Sequence, residues 1–236
     1  MTRSARRLRA GMAGILLAGL AASARSQTAA PESSLARPKL PAISEVVNGH
    51  TELMTYRGVR AVKLVPAPET AGRDEDMMAL LDGGDFTDGT IQLDVAGAPR
   101  PGAPPDSRGF IGVSFRTGPH GAWSDVFYLR PTNGRANDQL RRNHAVQYVS
   151  HPEFPWERLR RESPGVYESY ADMVPGAWTT MRIKVAGNTA RLYVNGAAQA
   201  CLVINDLKHG KRPGRIALWA HVETDAYFGP ISITAR

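Results

Sequence analysis

The residues best placed to do chemistry lie on strand-like runs in which apolar side chains alternate with polar or aromatic ones. In Phe110 to Arg116, Ile111, Val113 and Phe115 alternate with Gly112, Ser114 and Arg116. Around Phe127 and Leu129 the other face falls to Tyr128 and Arg130, and Pro131-Thr132-Asn133-Gly134-Arg135 continues directly from Arg130. Ala145 to Val149 contributes Gln147, while Ile216, Leu218 and Val222 leave Trp219 and His221 opposite them. Successive side chains on a strand point to opposite faces, so a buried apolar set sends its neighbours outward together. Aromatic faces stack on the apolar side of a sugar ring, and Arg, Asn, Gln and His offer fixed donors and acceptors to its hydroxyls. Arg116, Tyr128, Arg130, Asn133, Gln147, Trp219 and His221 are therefore the candidate ligand surface. The same residues also suit the wet face of a sheet open to water.

General acid–base chemistry needs a titratable group within reach of such a surface. His144, His151 and Glu153 follow Arg130 in one long segment, with Arg135 and Trp156, and are the candidates. The two carboxyls that glycoside hydrolysis requires are not offered by a strand. Ile91 to Val95 carries Asp94 alone, and Glu157 and Glu223-Thr224-Asp225 lie in or beside loops. The six histidines show no metal-ligand spacing. Asp82, Asp85 and Asp88 crowd oxygen ligands onto one turn, which makes calcium the alternative to an expectation of no cofactor. Their spacing is not that of an EF-hand loop, and Asp and Gly are what any turn uses.

The elements that must hold these residues are strands. Trp178 to Gly196 reads as an antiparallel hairpin, with Met181, Ile183 and Val185 alternating with polar residues before Gly187-Asn188 and Ala190, Leu192 and Val194 alternating after it. Asn195-Gly196 predicts a second turn into a strand at Leu202 to Ile204. Further strands are expected at Val59 to Val65, Met77 to Leu81, Ile91 to Val95, Phe110 to Arg116, Val126 to Arg130, Ala145 to Val149, Ile216 to Val222 and Tyr227 to Thr234. Gly97 to Pro105 reads as a Pro/Gly-rich loop excluded from any sheet. Helical periodicity is confined to Pro155 to Glu162, where proline stands at the start and acid precedes base. Short strands with turns between them predict an all-β antiparallel sandwich or barrel, with one long insertion carrying a short helix.

Composition narrows the setting. Arg3, Arg6, Arg7 and Arg9 precede an apolar run, Gly11 to Leu20, and then Ala21-Ala22-Ser23-Ala24. That order predicts a secretory signal peptide over residues 1–24, and the run is too short for a permanent membrane span. A Ser/Ala/Pro-rich leader is expected over 25–42 and the folded domain over 43–236. Removing four arginines from a formal charge of +7 leaves +3, which argues against a nucleic-acid partner. Cys201 is the single cysteine, so no intrachain disulfide forms. Periplasmic or secreted bacterial localisation is the expectation.

The order "FTDGTIQLDVAG", "GFIGVSFR", "FYLRPTNG", "AVQYVSHP", "WTTMRIKVAGNTARLYVNG" and "RIALWAHVETDAYFGPISIT" resembles the concanavalin A-like lectin/glucanase superfamily. It is similar in particular to the laminin-G-like jelly rolls and the bacterial domain family named for 3-keto-disaccharide hydrolases. The resemblance spans about residues 50 to 236 and implies two curved antiparallel sheets, with sugars often bound on the concave one. The E-x-D-x-x-E acid pattern of the glucanase branch is missing. The resemblance therefore implies a carbohydrate ligand, bound or turned over, or a protein-interaction sandwich.

Overall fold

A computed structural model describes Met1, residues 36–70 and residues 72–236. Apart from Met1 the expected signal peptide lies outside the described residues, as does the leader up to residue 35. Among the described residues the chain forms fourteen strands and two short helices. In chain order they are β1 (Ile43–Val47), β2 (Gly49–Tyr56), β3 (Val59–Pro66), β4 (Asp76–Leu81), β5 (Gly89–Pro99), β6 (Ile111–Thr117), β7 (Ser124–Leu129), α1 (Gln139–Asn143), β8 (Val146–His151), α2 (Trp156–Glu162), β9 (Glu168–Ser169), β10 (Thr179–Ala186), β11 (Thr189–Val194), β12 (Leu202–Ile204), β13 (Arg215–His221) and β14 (Thr224–Ala235). No helix among the described residues is long and apolar enough to cross a membrane.

The strands pair antiparallel into two seven-stranded sheets, β1-β4-β13-β6-β7-β8-β9 and β12-β11-β10-β5-β14-β3-β2, a sandwich of the jelly-roll form that the resemblance implies. Their burial patterns differ in a way that locates the site. In β10 and β11 buried and open residues alternate, so that sheet has one wet face. In β6 and β7 every residue is buried, so the first sheet is covered on both faces. One face packs Ile111, Val113, Phe115, Phe127 and Leu218 against Ile91, Leu93, Met181, Ile183 and Leu192 of the second sheet. The other face lies under the connections between strands.

The predicted hairpin forms as a two-residue Gly187-Asn188 loop, with Ala186 facing Thr189 and Gly187 at φ 58. Arg116 departs from expectation. It has φ 51, and the β6–β13 pairing slips there, Arg215 facing Thr117 while Ala217 faces Ser114. A bulge resets the alternation of side chains. Arg116 is fully buried, donating from Nη2 to the Gly187 carbonyl (2.7 Å), from Nη1 to that of Gly210 (2.8 Å) and from Nε to that of Thr87 (3.0 Å). Its Nη2 also pairs with Asp88 Oδ1 at 3.2 Å, and Asp88 in turn accepts from the Gly187 N–H at 2.8 Å. The arginine thus clasps three loops together and has no place on the ligand surface.

Other differences have local causes. Gly97 to Pro99 belongs to β5, where Pro99 stands at the strand end opposite Thr224 and needs no ladder N–H. Lys39 exchanges both backbone hydrogen bonds with Ile231, so pairing begins ahead of residue 43. The edge strand β2 escapes sequence reading because most of its side chains are exposed and leave no apolar alternation.

Candidate functional site

The covered face of the first sheet carries a cleft of about 1300 Å³. Its floor is Tyr128 of β7, Arg130 directly after that strand, and Trp219 and His221 of β13, and its walls come from residues 66–76, 100–110 and 133–160. The face is concave. In sheet order β4 and β8 are four strands apart, about 19 Å at normal spacing. Yet His151 Nε2 of β8 and Asp76 Oδ2 of β4 are 3.6 Å apart. Sheet twist lifts diagonal corners toward the same side, and here it closes them over the floor.

The floor is built around a missing side chain. Trp219 faces Gly112, and Gly112 faces Tyr128, in one row across β13, β6 and β7. A Cβ on Gly112 would press on the Phe127 carbonyl and lie 2.6 Å from Tyr128 Cα. Across that gap the two rings meet with centroids 4.9 Å apart. Tyr128 OH accepts from Arg130 Nη2 at 2.9 Å, and burial pushes the phenol up to about 12. Arg130 Nη1 donates to Gln147 Oε1 and to the His144 carbonyl, each at 3.1 Å. Arg130 is 5 % exposed, so it is a buried, fully engaged group.

Beside Arg130 lies a carboxylate that sequence reading missed. Glu168 of β9 accepts from Arg160 through both oxygens, from Nη2 to Oε2 at 2.6 Å and from Nε to Oε1 at 3.0 Å. His144 Nε2 is 3.1 Å from its Oε1, and Arg130 Nη1 is 3.8 Å from Oε2. Burial holds the His144 imidazole below its ordinary range. Glu168 opposes that shift, while Arg160 and Arg130 add to it. The short helices aim these groups. In α1, Asp138 caps the first turn by accepting from Arg141 N at 2.7 Å, which fixes Arg141 and His144 at the cleft. In α2, Trp156 and Arg160 stand four residues apart on one face, with the guanidinium carbon 4.6 Å from the ring centroid. Trp156 is 39 % exposed and offers its ring to a ligand.

The other end of the cleft holds Asp76 with His151 and His221. His221 Nδ1 accepts from the Glu223 N–H at 3.3 Å, which leaves Nε2 to donate to Asp74 Oδ1 at 2.9 Å. Burial raises the Asp76 carboxyl above the usual carboxylate range. His151, His221 and the Trp219 indole partly offset that rise, and Asp74 reinforces it. A carboxyl inclined to keep its proton, in a cleft beside two imidazoles, can give that proton to a ligand.

The structure brings Tyr128, Arg130, Asn133, Trp219, His221, His144 and His151 to one cleft. Gln147 lies beneath it, holding Arg130 and donating to the Tyr148 and Tyr167 carbonyls. Glu153 is outside, with Oε2 2.9 Å from His209 Nε2, and Arg135 pairs with Asp172 away from the cleft. Asp88 is engaged by Arg116 and Lys211, Asp82 and Asp85 are exposed, and no group of three acid, His or Cys side chains with metal-binding geometry occurs among the described residues. Asp76, Glu168, Arg160 and Phe110 went unread. Asp76 ends the run Asp74-Glu75-Asp76 and opens β4, one residue ahead of the strand expected at Met77, and alternation through Met78 does put it on the Trp219 face. Only the β4–β13 pairing shows it beside His221.

No protein-family model matches the sequence, and no curated protein matches it. Among solved structures, carbohydrate binding module CBM66 from Bacillus subtilis is similar over 83 % of this chain and 97 % of its own, at 13 % identity and a TM-score of 0.56. A Bacillus subtilis protein of unknown function with a galectin-like fold is similar over 81 % of this chain and 88 % of its own, at 11 % identity and a TM-score of 0.51. At these identities the likeness is one of fold: the chain shares with these structures an antiparallel two-sheet jelly-roll sandwich.

Proposed function

We propose that this chain is an exported carbohydrate-binding protein that takes a glycan into the concave cleft of its first sheet. The observation that carries the reading is the cleft itself, of about 1300 Å³, floored by the edges of the buried Trp219 and Tyr128 rings and flanked by the open ring of Trp156, between two sets of fixed polar groups. Stacking surface flanked by oriented donors and acceptors is what a sugar ring requires. The similarity to a carbohydrate binding module supports it at the level of fold. Export rests on the basic-then-apolar start of the sequence. A glycan array on the mature protein tests the reading, and retention of no glycan contradicts it.

Asp76 favours a second reading, a hydrolase or lyase acting on a sugar derivative such as a keto-disaccharide. In hydrolysis the Asp76 proton passes to the leaving oxygen as its C–O bond breaks. Water then adds hydroxyl to the sugar carbon, and its remaining proton restores the carboxyl. Product analysis on each bound glycan separates the two: turnover that Asp76→Asn abolishes supports the enzyme, and binding without turnover supports the lectin. A sandwich that neither binds nor turns over sugars is a protein-interaction domain.

A further inference from the structure

The charges of the cleft are unevenly matched. Asp74, Asp76 and Glu223 gather with His221 at one end, where Arg73 and Arg100 also stand, whereas Arg108, Arg130 and Arg141 gather around Asn133 at the other, with Asp106 and Glu168 nearby. Of the last three arginines only Arg130 lies within 4 Å of a carboxylate among the described residues, at Glu168, and that carboxylate is already gripped bidentately by Arg160. Arg108 donates from Nη1 to the carbonyls of Pro105 and Ser107, each at a long 3.3 Å, and makes no further hydrogen bond. Arg141 reaches only Asn133 Oδ1, at 3.4 Å. Most of the donors on two guanidinium forks, five N–H groups on each, thus have no protein partner at this end of the cleft. The positive charges also feel one another. Burial lowers the Arg108 guanidinium, Arg141 and Arg130 lower it further, and Asp106, beyond ion-pair distance, only partly offsets them.

A second observation points the same way. Ser107, beside Arg108 in the cleft wall, is 4 % exposed, and its Oγ has no hydrogen-bond partner. A buried hydroxyl without a partner costs free energy unless something completes it. Arg108, half-buried and facing the charges of Arg141 and Arg130 with no carboxylate within 4 Å, lacks a close counter-ion, although the exposed Arg141 is solvated. An oxyanion between them offsets both costs at once, since the guanidinium fork matches two oxygens and the hydroxyl supplies a further donor.

We propose that this end of the cleft, formed by Arg108, Arg141 and Ser107, binds the oxyanion of an acidic sugar, so that the ligand is a glycan bearing uronate carboxylates or sulfate esters rather than a neutral one. The inference rests on the glycan-binding reading above and narrows it to a substrate class.

The test is calorimetric titration of the mature protein with three matched oligosaccharides: a uronate oligomer, its carboxyl-reduced neutral counterpart and a sulfated counterpart. At least one acidic ligand is expected to bind ten-fold or more tighter than the neutral one, with the margin shrinking as salt is raised. Whichever acidic ligand binds tighter identifies the oxyanion. The Arg108→Gln/Arg141→Gln double variant is expected to bind the acidic and neutral ligands equally. Its melting temperature should hold, because each side chain makes only long hydrogen bonds of 3.3–3.4 Å. Neutral and acidic ligands binding equally would overturn the acidic-sugar inference and leave glycan binding intact. An acidic preference that survives in the double variant would also overturn it. Failure of all three ligands, and of every glycan on the array, would overturn both.

Discussion

Trp219 and Tyr128 touch across a residue that has no side chain: their ring centroids are 4.9 Å apart over Gly112, although a whole strand separates them. The cleft floor therefore depends on that glycine. Gly112→Ala drives a methyl group into the Phe127 carbonyl and the Tyr128 backbone, and overpacking of this kind costs about 1–3 kcal/mol. The expected result is a melting temperature lower by roughly 3–10 °C and an altered near-ultraviolet dichroism from the aromatic pair. Gly84→Ala, where an added Cβ meets nothing within 4 Å, should leave both unchanged.

Arg116 is a stability residue. Arg116→Met removes every donor to the Thr87, Gly187 and Gly210 carbonyls and strips Asp88 of one of its two cations. Losses of this kind sum to about 3 kcal/mol. Denaturant titration should show that loss, with glycan affinity per folded molecule unchanged; lost affinity at full stability would return Arg116 to the ligand surface.

Asp76 makes stability depend on pH in a defined direction. Its folded carboxyl is raised, so the folded state holds the proton more tightly than the unfolded one. The stabilisation is complete below the unfolded carboxyl range, near about 4, and is lost as pH rises through the folded value. Asp76→Asn has no such loss, so its advantage in denaturation midpoint over the natural chain should grow from about pH 4 upward and then level off. A constant difference at every pH would mean that Asp76 titrates normally.

Trp156 stacks on Arg160 and leaves its outer surface open. If that surface holds a sugar ring, Trp156→Ala should weaken glycan binding by roughly 2- to 13-fold, from about 0.5–1.5 kcal/mol of aromatic contact. Its fold should be untouched. Unchanged affinity would place the sugar deeper in the cleft.

Export has its own readout. Fractionated bacteria expressing the full chain should contain a mature protein lacking roughly the first 24 residues outside the cytoplasm. Full-length protein retained in the cytoplasm would contradict it.

How much of this was legible in the sequence depends on range. Alternation in the β10–β11 hairpin is local, and the strand expected around Leu202 to Ile204 forms there. Tyr128, Trp219 and His221 were read onto one face because two-residue periodicity survives without knowing the partner strands. Arg116 failed because one left-handed residue reverses the face, and nothing in Ser114-Phe115-Arg116 announces it. Glu168 failed because β9 is two residues long and carries no period at all. His151 and Asp76 could not be paired from sequence, since their approach is a property of sheet curvature across four strands. The proline-rich stretch after Pro99 read only as a connection, though it walls the cleft and supplies Arg108.

The most direct measurement is the indole N–H spectrum of the ¹⁵N-labelled mature protein during titration with a glycan that the array selects. Four tryptophans give four signals. Trp156 and Trp219 line the cleft, whereas Trp123 lies under Arg212 and Trp178 packs edge-on to Tyr56. Binding in the concave cleft predicts that the Trp156 and Trp219 signals move with the affinity measured by calorimetry while those of Trp123 and Trp178 stay fixed. Movement of Trp178 or Trp123 alone, with Trp156 and Trp219 unmoved by a ligand that binds, would contradict the account.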